Sequence, residues 1–139
     1  MKKIITILLI LGAALLLVQP VKAENLSQTE EQTVNPLSSF IAEPAESSII
    51  LIWETTTEID TVGFNLYRAE AKDGEYIRLN DSLMIAEGSE SEGFIYEFDD
   101  EGVQNLKTYS YILEDIDIYG VSTLHGPVSA TPRLIYEEQ

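Results

Sequence analysis

The sequence predicts an all-β fold, an antiparallel sandwich of about seven strands. Three observations carry this. From Leu37 onward, short runs alternate apolar and polar residues and are separated by Gly, Pro, Asp and Asn. Beyond the apolar N-terminal run, no stretch repeats apolar residues at the 3.6-residue period of a helix. The residues that alternation assigns to one face are bulky in run after run, so two sheets can enclose them as one core.

The first strand is expected at Ser38–Glu43, ended by Pro44. The second, Ser48–Glu54, turns Ile49, Leu51 and Trp53 to one face. The third, Gly63–Glu70, does the same with Phe64 and Leu66. Asp73-Gly74 marks a tight hairpin, with Gly expected to take a positive φ. A short strand, Glu75–Asn80, follows, and then a long loop, 81–93. Phe94–Asp99 directs Phe94, Tyr96 and Phe98 inward. Thr108–Asp115 directs Tyr109, Tyr111 and Leu113 inward. A turn at Tyr119-Gly120 leads into the last strand, Val121–Ala130.

The N-terminus sets the expected compartment. Met1-Lys2-Lys3 is a positive start, Ile4–Val18 an uncharged apolar run, and Val21-Lys22-Ala23 a small-residue cleavage site after the Gln19-Pro20 break. That is the layout of a secretory signal peptide over residues 1–23. The run is shorter than the ~20 residues of a spanning helix, so no transmembrane segment is expected after cleavage. No Cys follows it to carry a lipid anchor. The product is expected to be secreted or periplasmic. Residues 24–36 read as a disordered acidic leader, 37–133 as the domain and 134–139 as an acidic tail.

The chain of 139 residues carries a formal charge of −16. Loss of Lys2, Lys3 and Lys22 with the signal leaves five basic residues against 24 acids, or −19. Such a surface repels nucleic acid and anionic lipid. With no Cys, the core must hold without disulfides, and thiolate zinc sites and thiol catalysis are excluded.

The order "LIWE", "GFNLYR", "VQNLKTYSYIL", Gly turn and final strand resembles the fibronectin type III family, whose bacterial secreted members carry similar "GF-x-LYR…DGEY" and "LED-x-D…G" elements. The resemblance spans about residues 37–133. It implies an immunoglobulin-like sandwich in which Trp53 ends the second strand. It also implies a Tyr109 hydroxyl bonded back to loop backbone, six residues after the apolar Val103. Leu106 stands where many relatives have Gly. The family is mostly non-enzymatic, serving as spacer, adhesion surface or accessory module.

The last hairpin sets three acids beside the chain's single His. A two-residue turn at Tyr119-Gly120 would pair Glu114 with His125 on the outward face; a one-residue change of turn would break that pair. Asp115 follows Leu113 inward and needs donors: either backbone N–H groups of the loop after the second strand, or a cation. With Glu54, Glu58, Asp60 and Asp117 it would make an acid-rich pole suited to calcium, which takes six to eight oxygens. Asp99-Asp100-Glu101 reads as a solvated turn. No nucleophile motif, phosphate loop or cleft for a carboxylate pair is legible, so no catalysis and no obligate cofactor are expected. Outward-facing Ile50, Ile52, Tyr67, Ile112 and Ile116 are read as a docking face. Asn25 and Asn80 open formal glycosylation triplets. The expected protein is a monomeric, non-catalytic extracytoplasmic binding or spacer module with a protein or cell-envelope partner. The alternative is a calcium-stabilised adhesion module.

Overall fold

A computed structural model describes residues 36–134. The expected signal peptide, Asn25, all of the leader but its last residue and nearly all of the tail lie outside the described residues. Eight strands form, and no helix occurs among the described residues: β1 Leu37–Pro44, β2 Ile49–Thr55, β3 Thr61–Ala69, β4 Ile77–Arg78, β5 Met84–Ile85, β6 Ile95–Asp100, β7 Tyr109–Asp117 and β8 Ser122–Ala130. They make two antiparallel sheets, β1-β2-β6 and β4-β3-β7-β8, with β5 also pairing β3. This is the immunoglobulin-like, fibronectin type III-like sandwich.

The pleat places the core as alternation dictates. Ile49, Leu51, Trp53, Leu66, Tyr111 and Leu113 are fully buried, and Phe64, Tyr96 and Tyr109 nearly so. Trp53 stacks on Tyr96 at 5.0 Å and meets the edge of Phe64 at 5.7 Å, contacts worth about 0.5–1.5 kcal/mol each beyond their buried area. Phe94 departs from expectation. It precedes β6, is 40% exposed, and leans on Tyr96 at 4.9 Å.

Three loops differ from the sequence reading. Gly74 donates to the Ala71 carbonyl at 2.9 Å and closes a four-residue turn, but its φ is not positive. It occupies the last turn position, which needs no left-handed backbone. The expected long loop contains β5, and β4 and β5 are two pieces of one broken edge. Between them the buried Asn80 stands in for backbone. Its Oδ1 accepts the Leu66 N–H at 2.8 Å, and its Nδ2 donates to Asn65 Oδ1, Phe64 O and Ser82 O. An amide so engaged is no glycan acceptor in the folded domain.

The last hairpin has a three-residue loop. Gly120 N bonds Asp117 O at 2.9 Å, Asp117 N bonds Val121 O at 3.0 Å, and Gly120 takes φ +78°. A type I turn closed by a left-handed Gly is a standard alternative to the two-residue turn. Farther along, β8 carries an extra residue at Gly126-Pro127. Tyr111 pairs Val128 and Leu113 pairs His125, so three residues of β8 match two of β7. Proline cannot donate to the ladder, and Gly126 at φ +106° supplies the bend.

The tyrosine expectation holds in geometry. The Tyr109 hydroxyl accepts the Gln104 N–H at 3.1 Å, and Val103 packs on the core. Leu106 sits at φ +66°, in the left-handed region that favours glycine.

Candidate functional site

The three-residue turn shifts the pairing of β7 with β8 by one residue from that of a two-residue turn, all the way to His125. Glu114 lies opposite Leu124, and His125 lies opposite Leu113 on the inner side of the sheet. His125 Nε2 therefore meets Asp115 Oδ2, with both side chains mostly buried. The expected outward Glu114–His125 pair does not form, and Asp115 bonds His125 instead of loop N–H groups.

The acid-rich pole exists in outline. The Ile118 N–H bonds Asp60 O at 2.9 Å, joining the β7–β8 turn to the β2–β3 loop. Its carboxylates do not act together: Glu58, Asp115 and Asp117 have separate partners. Glu58 is buried; its Oε1 accepts Tyr96 OH at 2.6 Å and Thr55 Oγ1 at 2.8 Å, and its Oε2 accepts the Gly88 N–H at 2.6 Å. Asp117 Oδ1 accepts the N–H groups of Tyr119 and Val121. Glu54 and Asp60 are exposed. Among the described residues no three His, Asp or Glu side chains converge as a metal site. Burial, then Glu58, pushes the Tyr96 phenol far above its ordinary value.

At the opposite pole the expectation of a solvated acidic turn is corrected for Asp100. It is buried and accepts Arg68 Nη1 at 2.8 and 3.0 Å, Tyr111 OH at 2.9 Å and the Gly102 N–H at 3.1 Å. Arg68 also lies 5.4 Å from the centre of the Tyr109 ring. Burial, then the Asp100 charge, pushes the Tyr111 phenol far up. The signal was legible: Arg68 shares the parity of Phe64 and Leu66, and Asp100 that of Tyr96 and Phe98. Glu58 lies outside the strands, where parity says nothing. The inward carboxylates are thus braces of the sandwich.

The residues read as one docking face lie on two sheets. Ile50 and Ile52 belong to the outer face of β1-β2-β6, whereas Tyr67, Ile112 and Ile116 belong to that of β3-β7. On the first face the register sets Ser39, Glu54 and Ile95 in one row, Ile41, Ile52 and Glu97 in the next, and Glu43, Ile50 and Asp99 in the third. Four isoleucines are interleaved with four acids, and no base occurs in these rows. Ile41 is 43% and Ile95 64% exposed, while Ile50 and Ile52 are half-buried.

On the second face Tyr67, Tyr76, Ile112, Glu114 and Leu124 line a groove of about 390 Å³. Glu114 Oε2 accepts Asn65 Nδ2 at 2.9 Å and Tyr67 OH at 2.7 Å. Burial pushes the Glu114 carboxyl up. Hydrogen bonds from Asn65, Ser122 and Tyr67 and the Arg78 charge outweigh it and hold the pKa below the ordinary value.

No protein-family model matches the sequence, and no curated protein does. The fold is similar to two solved structures. A beta-1,2-glucanase from Parabacteroides distasonis aligns at TM-score 0.46 and 17% identity, over 72% of this chain and 14% of that one. A Fn3-like protein from Clostridium thermocellum aligns at TM-score 0.44 and 17% identity, over 74% of this chain and 95% of that one. The chain thus spans only a small part of the glucanase's length.

Proposed function

We propose that this protein is a non-catalytic binding module, working outside the cytoplasm, that docks a protein partner on the outer face of its three-stranded sheet. The observation that carries the reading is the interleaving of Ile41, Ile50, Ile52 and Ile95 with Glu43, Glu54, Glu97 and Asp99. Apolar area gives a docked partner its affinity. Acids without a base select a basic surface and steer its approach. The inward carboxylates and aromatic core are engaged in the sandwich, which leaves recognition to its faces. The signal-like N-terminus supports the compartment.

The test is capture from an envelope extract by the purified protein, with Ile52→Lys and Glu97→Lys beside it. The reading expects a captured protein that salt releases and that both variants lose; Glu97→Lys, at an exposed position, should leave the melting temperature unchanged, since exposed substitutions alter stability within about ±0.5 kcal/mol. Undiminished capture by both variants would sink it.

A further inference from the structure

We propose that the groove on the outer face of the five-stranded sheet binds an arginine side chain of a partner polypeptide, with Glu114 as its counter-ion. This surface lies on the other sheet from the isoleucine face, so the two readings stand or fall separately.

The groove is built by register. Asn65, Glu114 and Leu124 form one row across β3, β7 and β8, and Tyr67 and Ile112 are opposite one another in the next. Tyr76 completes the wall. Leu124 is 62% exposed and Ile112 half-buried, so an apolar rim surrounds a recessed carboxylate.

Glu114 is held by neutral donors. Among the described residues the ion pairs join Arg68 to Asp100, Lys107 to Glu70 and His125 to Asp115, and none reaches Glu114. Arg78 is the nearby base, and its Nη2 donates to the Asp81 carbonyl at 3.1 Å. The site is therefore an oriented carboxylate, ionised by its hydrogen bonds and not closed by a cation in contact.

A partner that covers the groove strips water from that carboxylate. Burying an unpaired charge costs several kcal/mol, and a hydrogen-bonded opposite charge recovers it. A neutral apolar segment therefore does not suit this groove, and an acidic one is repelled by a chain of net charge −16. The occupant must bring a cation. The phenol rings of Tyr67 and Tyr76 favour the planar, weakly hydrated guanidinium over the ammonium. A volume of about 390 Å³ suits one long side chain and not a folded element.

The experiment is an NMR titration of the purified protein with three capped tripeptides, Leu-Arg-Leu, Leu-Lys-Leu and Leu-Gln-Leu. The arginine peptide is expected to give saturable shifts at the Asn65 side-chain amide and the Ile112 methyl. The lysine peptide should bind more weakly, and the glutamine peptide about ten-fold more weakly or not at all. Glu114→Gln should cost about ten-fold for the arginine peptide. Leu124→Lys, at a position opposite Glu114 whose side chain is exposed, should abolish binding by placing an ammonium in the groove. The proposal is overturned if no peptide shifts these signals, if lysine or glutamine peptides bind as tightly as arginine, or if both variants bind the arginine peptide like the parent.

Discussion

Replacing Asp100 by Asn tests whether the inward carboxylate holds the two sheets together. Asp100 ends β6 in the three-stranded sheet, while Arg68 and Tyr111 belong to the other sheet, so their bonds cross the sandwich. All the groups around it, Arg68 Nη1, Tyr111 OH and Gly102 N–H, are donors. Asn offers one acceptor and turns an NH2 toward donors. Breaking a buried ion pair costs about 3–5 kcal/mol. Arg68 is 17% exposed in its side chain and keeps the Gly102 carbonyl at 2.9 Å, which argues for the low end, about 3 kcal/mol. In a domain of this size that lowers Tm by roughly 12–24 °C. Tyr111→Phe removes only one hydrogen bond and should cost about 1 kcal/mol. In the double variant the losses should be less than additive, because both remove the same bond. Urea unfolding gives the three values. A loss below about 1 kcal/mol for Asp100→Asn, or equal losses for the two single variants, would refute the reasoning.

Other outcomes follow from single sites. Leu106→Gly should stabilise by about 0.5–1 kcal/mol in the same assay, since relief of a left-handed Leu exceeds the entropy Gly adds to the unfolded chain; Leu106 is 76% exposed and little packing is lost. With calcium or magnesium at matched ionic strength, the melt should rise equally, as screening of the net charge requires. A rise with calcium alone would mean that the carboxylates of the β2–β3 pole regroup around the ion. Glu114 gives a pH signature. Its folded pKa lies below the ordinary value of 4.5, so its stabilisation is present above that value and is lost as pH falls through the lowered folded pKa. Glu114→Gln should flatten that part of the acid unfolding curve, and an unchanged curve would show that these hydrogen bonds add no stability.

Strand order and core were legible because alternation is a local property. Ile49, Leu51 and Trp53 needed only their spacing to be placed, and Tyr109, Tyr111 and Leu113 likewise. The outcome at His125 shows where parity ends. One extra residue in the turn, three at 118–120 instead of two, turned it from the outward face to Asp115, and the Tyr119-Gly120 signal alone does not fix the loop length. Asn80 was hidden for a related reason: a side chain that substitutes for backbone has no periodicity. Leu106 was visible only as a departure from a family pattern, and its φ of +66° supplies the physical reason for that pattern. The residues read as a docking face do point outward, but alternation does not say which sheet a strand joins. Ile52 and Ile112 therefore lie on opposite faces of the sandwich.

The central claim is recognition by a sheet face, and β2 carries its own control. Ile49 and Leu51 point into the core, whereas Ile50 and Ile52 point out. The decisive measurement is the isoleucine methyl NMR spectrum of the protein with and without the captured partner. The account predicts that the methyl signals of Ile41, Ile50, Ile52 and Ile95 move while that of Ile49 stays. Stationary signals at all four, or an equal change at Ile49, would contradict it.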